Sequence, residues 1–165
     1  MVLEHQGILR SEATILRDIG VDRWAAHVDA SGTLRWGNPY TSFVGDPDGS
    51  ERELTGYGTY YPNIVRVAKG HGAIVLQAGE NIAPATLYTA LLANHPAVVW
   101  IANDWAYHAA SKPWVTFEGE QIAWRGAIEH AISLVGVTST SVLVNNPAHH
   151  TDWRTRSRGA MRDPM

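Results

Sequence analysis

The sequence predicts an α+β domain in which helices come first and an antiparallel sheet follows. Two stretches near residues 11–19 and 84–94 carry apolar residues at helical spacing, whereas four short segments between residues 114 and 145 are rich in β-branched and aromatic residues. A chain of 165 residues that is 45% apolar is also large enough to bury one core. We therefore expect one folded domain.

Three helices are predicted from apolar spacing and from residues that begin and end helices. Ser11 can cap the first helix, and Gly20 can end it. Pro62 and Pro84 stand at positions suited to the first turns of the second and third helices. The third helix is expected to end near Asn94.

Residues 1–7 resemble the last turns of a further helix, which Gly7 closes. A helix of about six residues is marginal by itself, because helix nucleation is costly. We therefore expect this first helix to be incomplete, with its beginning upstream of Met1.

Residues 24–58 are rich in Gly, Pro, Asn and Asp, and we expect them to be mainly loop with one short strand. Asp46, Asp48 and Glu51 have a spacing that raises the possibility of a calcium site. The segment lacks the remaining ligands and the final Glu of a twelve-residue calcium loop. Its Asp-Pro and Asp-Gly steps are turn formers, so a plain turn is the favoured interpretation.

The second half of the chain predicts strands. Ala97–Ala102 is an apolar, β-branched run typical of a buried strand. Four short strands are expected after it, over Trp114–Phe117, Gln121–Trp124, Glu129–Val137 and Ser141–Asn145.

The last predicted hairpin brings a histidine and an asparagine to one side of the sheet. Alternate positions share a face of each strand: His130, Ile132 and Leu134 on the first, and Val142, Val144 and Asn146 on the second. If both apolar faces enter one core, the hairpin requires a loop of odd length or a bulge. A two-residue turn would pair residue 138 with residue 141 and would place Asn146 on the other face from His130. Thr138–Thr140 fits a three-residue loop.

Such a pair has a known use in catalysis. A histidine can take the proton of a thiol nucleophile while a neighbouring Asn or Asp holds its ring in the required tautomer and orientation. His130 and Asn146 are therefore the candidate catalytic residues.

Several segments, taken together, point to one family. The stretches Glu129-His130-Ala-Ile-Ser-Leu-Val-Gly136 and Leu143-Val-Asn-Asn-Pro147, with Phe43–Gly49, Thr55–Gly58 and Leu91–Ile101, resemble the papain-like cysteine peptidases that include the double-glycine leader peptidases of bacteriocin exporters, and above all their stand-alone bacterial relatives. The resemblance implies a papain-like fold and hydrolysis of a peptide or protein substrate by a Cys-His-Asn/Asp triad without a cofactor. His130 matches the catalytic histidine, and Asn146 stands where the family usually has Asp.

The resemblance also implies what this chain lacks. In the family, a Gln that serves the oxyanion hole precedes a Cys-Gly-Pro helix start, and Met1–Gly7 resembles the continuation of that helix. The chain contains no cysteine, so we expect it to be inactive as given, without nucleophile or oxyanion Gln. Residues 1–150 would then form a peptidase domain without its nucleophile segment, and residues 151–165 a polar C-terminal tail.

Two explanations are open: an enzyme whose cysteine is encoded upstream of Met1, or a pseudo-peptidase that binds a peptide or protein without cleaving it. We favour the first, because deleting half a helix would expose core surface at a cost of several kcal/mol, against a typical stability of about 5–15 kcal/mol. The upstream DNA discriminates between them. An in-frame Gln followed by a Cys supports the first, and an in-frame stop close to Met1 excludes it.

Composition argues against several other classes. A net charge of −3 offers no electrostatic basis for binding nucleic acid, and the cluster of Arg154, Arg156 and Arg158 is better explained as a solvated tail. No stretch approaches the roughly eighteen apolar residues of a membrane helix. The compartment is left open, although a signal sequence upstream of Met1 would indicate an extracytoplasmic protein.

Two histidines and a tryptophan in the second half of the chain are further candidates for site components. His149 and His150 are adjacent, so on an extended chain they point to opposite faces, and no third ligand stands at a useful spacing. We expect no metal site there. Trp124 is a candidate for the wall of a groove beside His130.

Overall fold

The structure is a computed structural model that describes residues 2–102, 113–123 and 129–147, together with the backbone of residues 153–157. The helices among these residues are α1 (Glu12–Ile19), α2 (Tyr61–Gly70) and α3 (Pro84–Leu92). In chain order the strands are β1 (Val21–Asp22), β2 (His27–Val28), β3 (Leu34–Trp36), β4 (Phe43–Gly45), β5 (Gly56–Gly58), β6 (Ala97–Ala102), β7 (Trp114–Thr116), β8 (Gln121–Ile122), β9 (Glu129–Val137), β10 (Ser141–Asn145) and β11 (Trp153–Ser157). The predicted α+β class is confirmed.

The described residues fall into two compact units. The first, here called the helix-pair unit, is drawn from Ile8–Gly79 and Ala109–Ala127. The second, here called the hairpin unit, is drawn from Met1–Gly7, Glu80–His108 and Ile128–Met165. Each unit has its own hydrophobic core.

In the helix-pair unit, α1 and α2 pack against each other. The hydroxyl of Ser11 accepts a hydrogen bond from the Thr14 backbone N–H at 3.2 Å, which satisfies one of the free amides at the start of α1. Pro62 lies in the first turn of α2, where its missing N–H leaves no helical bond unmade. The first two predicted helices are confirmed.

Two small sheets complete the helix-pair unit, in the orders β1-β4-β5 and β2-β3-β7-β8. Residues 24–58 are mainly loop, as expected, but the expectation of one short strand is wrong, because four strands lie there. Each is only two or three residues long, which is too short for an alternating pattern to appear in the sequence. Their core is aromatic, with Trp36 and Trp114 at most 1% exposed.

The segment expected to be a plain turn is a turn. The Gly49 N–H donates to the Asp46 carbonyl at 2.9 Å, and the Asp48 N–H donates to the Asp46 carboxylate at 3.1 Å. A Cβ at Gly49 would lie 2.7 Å from the Gly56 nitrogen. The turn therefore needs glycine for the close approach of two backbone segments.

The hairpin unit is built on a four-stranded antiparallel sheet in the order β11-β10-β9-β6. α3 packs on β9, and Leu91 of α3 joins four buried sheet residues in one core: Ile132, Leu134, Val142 and Val144. The prediction that Ala97–Ala102 is a strand is confirmed. The prediction that it is buried is wrong, because β6 forms an edge of the sheet among the described residues and is half-buried throughout.

The two ends of the chain add to this unit. Glu4–Gln6 form a single 3₁₀ turn in place of the expected α-helical turns, and Gly7 ends it with a φ of 73°. Residues 153–157, inside the stretch expected to be a polar tail, form β11 and pair with β10.

The hairpin of β9 and β10 contains the predicted change of register. The Thr138 N–H donates to the Ser141 carbonyl at 2.8 Å, so the turn has two residues and the expected three-residue loop is wrong. The register then shifts, because Gly136 lies opposite Leu143 but Leu134 lies opposite Val144. Val135 is the extra residue of a β-bulge, which is the alternative that the parity argument allowed.

Neighbouring leucines of α3 provide a test of this packing. Leu91 is 5% exposed and Leu92 is 71% exposed. Leu91→Ala should lower the free energy of unfolding by about 2–5 kcal/mol, because it leaves a cavity against the sheet. Leu92→Ala should change it by less than about 0.5 kcal/mol. Urea unfolding followed by circular dichroism measures both, and equal effects would contradict the packing of α3.

The turn between β2 and β3 has a charged centre. One carboxylate oxygen of Asp29 accepts from the Ser31 N–H at 2.9 Å and from the Ser31 hydroxyl, and the other accepts from Arg35 Nε at 2.8 Å. The Ser31 hydroxyl and then Arg35 hold the pKa of Asp29 below 3.8, its ordinary value.

This pKa shift predicts a pH dependence. Because the folded protein favours ionised Asp29, the carboxylate contributes stability at pH values well above 3.8, and this contribution is lost as the pH falls below that value. Wild type should therefore be more stable than Asp29→Asn at neutral pH, and the difference should shrink in acid. Urea unfolding of both proteins across this range measures it, and a difference that does not change with pH would refute the expectation.

Candidate functional site

The strand register positions His130 and Asn146. His130 is the second residue of β9, and Asn146 directly follows β10. Leu134 lies opposite Val144 and Ser133 opposite Asn145, so the same ladder continued by one residue sets position 146 opposite Ile132. His130 is two residues from Ile132 and shares its face. His130 and Asn146 are therefore diagonal neighbours on one face of the sheet, and the side chains of such neighbours are within reach of each other.

The two side chains are joined by a short hydrogen bond. His130 Nε2 lies 2.6 Å from Asn146 Oδ1. An amide oxygen can only accept a hydrogen bond, so Nε2 must carry the proton and donate it. In the neutral ring Nδ1 then holds the lone pair that can accept a proton. Among the residues that the structure describes, none makes a hydrogen bond to this atom.

Two apolar residues of the sheet lie near the pair. Both side chains are half-buried, and Ile101 of β6 lies opposite His130. Ile132, which is 2% exposed, follows on the same face. A hydrogen bond is electrostatically stronger beside such a core than in water. The ring is therefore held in one orientation and in one tautomer.

This arrangement is chemically suited to act as a base with an orienting residue. It can take a proton at Nδ1 and keep the resulting imidazolium bound to the amide oxygen. It does not supply a thiol, because the chain contains no cysteine.

The remaining sequence predictions concern a groove wall, a metal site and a membrane helix. Trp124, His149 and His150 lie outside the described residues. Within the described part of the chain, no group of three or more His, Cys, Asp or Glu side chains could hold a metal ion. No helix in that part is long and apolar enough to cross a membrane.

Sequence reasoning missed a second histidine pair. In the helix-pair unit, His71 Nε2 lies 2.8 Å from Asp18 Oδ2, and Arg10 Nε donates to His71 Nδ1 at 3.0 Å. His71 is 53 residues from Asp18 and 61 from Arg10 in sequence. No local pattern could have connected them, because only the packing of α1 against α2 brings them together.

Comparisons with known proteins identify the family and the fold of the chain. The model of the Peptidase_C39 like family matches residues 1–162 of the chain. The chain is also similar to a crystal structure from Bacillus anthracis described as that of a C39-like peptidase, with a TM-score of 0.73 and 23% sequence identity. That alignment covers 95% of this chain and 74% of the other, and at this identity it shows a shared fold. No match was found among curated proteins.

The His130 tautomer is directly testable. Long-range ¹H–¹⁵N NMR spectra should show neutral His130 with its proton on Nε2. Asn146→Ala should weaken this preference, because the acceptor is lost, whereas Asn146→Asp should keep it, because a carboxylate oxygen can also accept. An Nδ1–H tautomer in wild type, or no change in Asn146→Ala, would contradict the assignment.

Proposed function

This chain belongs to the Peptidase_C39 like family, and on that premise we propose that it is a cysteine-peptidase-like domain in which His130 is the general base and Asn146 orients it. The observation that carries the proposal is the 2.6 Å hydrogen bond from His130 Nε2 to Asn146 Oδ1. It leaves Nδ1 as the proton acceptor. The substrate would be a peptide or a protein.

The chemistry follows from this tautomer. Nδ1 of His130 takes the proton of a thiol, and the thiolate attacks the carbonyl carbon of the scissile peptide bond. The imidazolium then gives the proton to the leaving amine, and an acyl-enzyme forms. Water releases the acyl group when the same nitrogen acts as base again. Asn146 keeps its bond to Nε2 through both steps.

The thiol in this scheme comes from outside these 165 residues, because they contain no cysteine. We propose that a segment joined to the start of the chain supplies it together with the oxyanion Gln. Residues 2–7 belong to the hairpin unit that also holds His130, which supports this arrangement. The amide of Asn146 in place of the family's usual Asp gives the imidazolium a neutral partner.

A second candidate function is a pseudo-peptidase that binds a peptide or protein without cleaving it. The absence of cysteine from the chain favours it. In this case the His130–Asn146 bond would order the binding surface and would take part in no proton transfer.

The 165-residue chain should hydrolyse no peptide and should not react with a thiol-directed probe, because it has no thiol to acylate. Mass spectrometry of peptide substrates and of the probe-treated chain measures both. Turnover that persists after contaminating thiol enzymes are blocked by alkylation would contradict the proposed chemistry.

The two candidate functions are separated by the coding sequence upstream of Met1. If it encodes an in-frame Gln and Cys, the extended protein should be acylated by a thiol-directed probe, and His130→Ala should slow this roughly 10²–10⁴-fold, the usual contribution of a general base. His95→Ala is the matched control, because this exposed histidine follows α3 and should not affect labelling. Unchanged labelling of His130→Ala would remove this residue from the mechanism. An in-frame stop close to Met1, with peptide binding retained, would favour the pseudo-peptidase.

A further inference from the structure

The second histidine pair has a hydrogen-bond pattern that depends on the charge of its ring. Arg10 Nε donates to His71 Nδ1 at 3.0 Å, and an arginine side chain can only donate, so this ring nitrogen carries no proton. Nε2 therefore carries the proton and donates it to Asp18 Oδ2 at 2.8 Å. Both bonds can exist together only while His71 is neutral.

Besides Arg10, the nearby cationic side chains among the described residues come from α1 and α2. Arg17 of α1 lies 3.1 Å from the other oxygen of Asp18. Arg66 of α2 donates to the backbone carbonyl of Asp18 at 3.0 Å, and Lys69 is exposed two residues before His71. The cations facing His71 are thus Arg10 directly and Arg17 through Asp18.

Asp18 keeps its negative charge in this environment. Partial burial raises its pKa, but the hydrogen bonds from His71 and Arg17 outweigh this effect and set the pKa below 3.8, its ordinary value. The carboxylate is therefore ionised over the range from about pH 5 to 8 in which histidines usually change charge.

Protonation of His71 would affect its two partners in opposite ways. Nδ1 would become a donor, so it could no longer accept from Arg10, and two cations would face each other. Nε2 would still donate to Asp18, and this bond would become an ion pair. The His71 side chain is 17% exposed, so solvent protons can reach it.

We propose that His71 is a pH-sensitive latch, which holds Arg10 against the α1–α2 pair when its ring is neutral and releases Arg10 when the ring is protonated, while Asp18 stays bound. Arg10 lies in the short segment that leads from Gly7 of the hairpin unit to α1 of the helix-pair unit. The charge of His71 therefore determines whether Arg10, and with it this segment, is hydrogen-bonded to the helix pair. This device is independent of the proposed function of His130.

NMR spectroscopy of the ¹⁵N-labelled chain tests the predicted exchange of partners. At pH 8, neutral His71 should carry its proton on Nε2, and the Arg10 Nε–H resonance should differ from that of the exposed Arg52. At pH 5, the Arg10 resonance should approach that of Arg52 with the same midpoint as the His71 titration. An Arg10 resonance that does not follow His71 would overturn the proposal.

Two variants test the latch at a constant pH of 8. His71→Gln keeps an acceptor and a donor but cannot be protonated, whereas His71→Lys carries a positive charge and has no acceptor. Trypsin must take an arginine side chain into its pocket, so cleavage after Arg10, normalised to cleavage after Arg52, reports the freedom of Arg10. It should be similar in wild type and His71→Gln and roughly fivefold faster in His71→Lys, the factor expected for one net hydrogen bond. Equal rates in all three proteins, or faster cleavage in His71→Gln, would overturn the proposal.

Discussion

Burial of one face of the β9–β10 hairpin beneath α3 is the constraint on which the candidate site depends. Leu134 and Val142 are fully buried, and Ile132 and Val144 are 2% exposed. The turn has two residues, and without a bulge it would set the apolar residues of the two strands on opposite faces. The bulge at Val135 restores a common face. His130 and Asn146 extend the same alternation beyond the core. Their meeting is therefore a consequence of packing that stabilises the hairpin.

The two histidines show how similar pairs can differ in chemistry. Both rings carry the proton on Nε2 and donate it to a side-chain oxygen, of Asn146 in one case and Asp18 in the other. In His71 the remaining nitrogen is occupied by Arg10. In His130 no described residue bonds to it, so it can take a proton from a reacting group. The partner of Nδ1, more than the Nε2 bond, distinguishes the base proposed at His130 from the latch proposed at His71.

The family assignment and the absence of cysteine both bear on the function of the chain. Membership of the Peptidase_C39 like family accounts for the fold. The chain has the His130–Asn146 pair that the proposed thiol mechanism needs, but it contains no cysteine. A neutral amide in place of a carboxylate still fixes the tautomer, because ring orientation needs only an acceptor oxygen.

The sequence by itself determined the helices and the shared face of His130 and Asn146, because caps such as Ser11 and the alternation of apolar residues are local signals. Only the tertiary structure decided the bulge at Val135, the short strands within residues 24–58 and the addition of β11. These features depend on hydrogen bonds between distant segments. The same is true of His71, whose partners lie 53 and 61 residues away in sequence and are brought to it by helix packing.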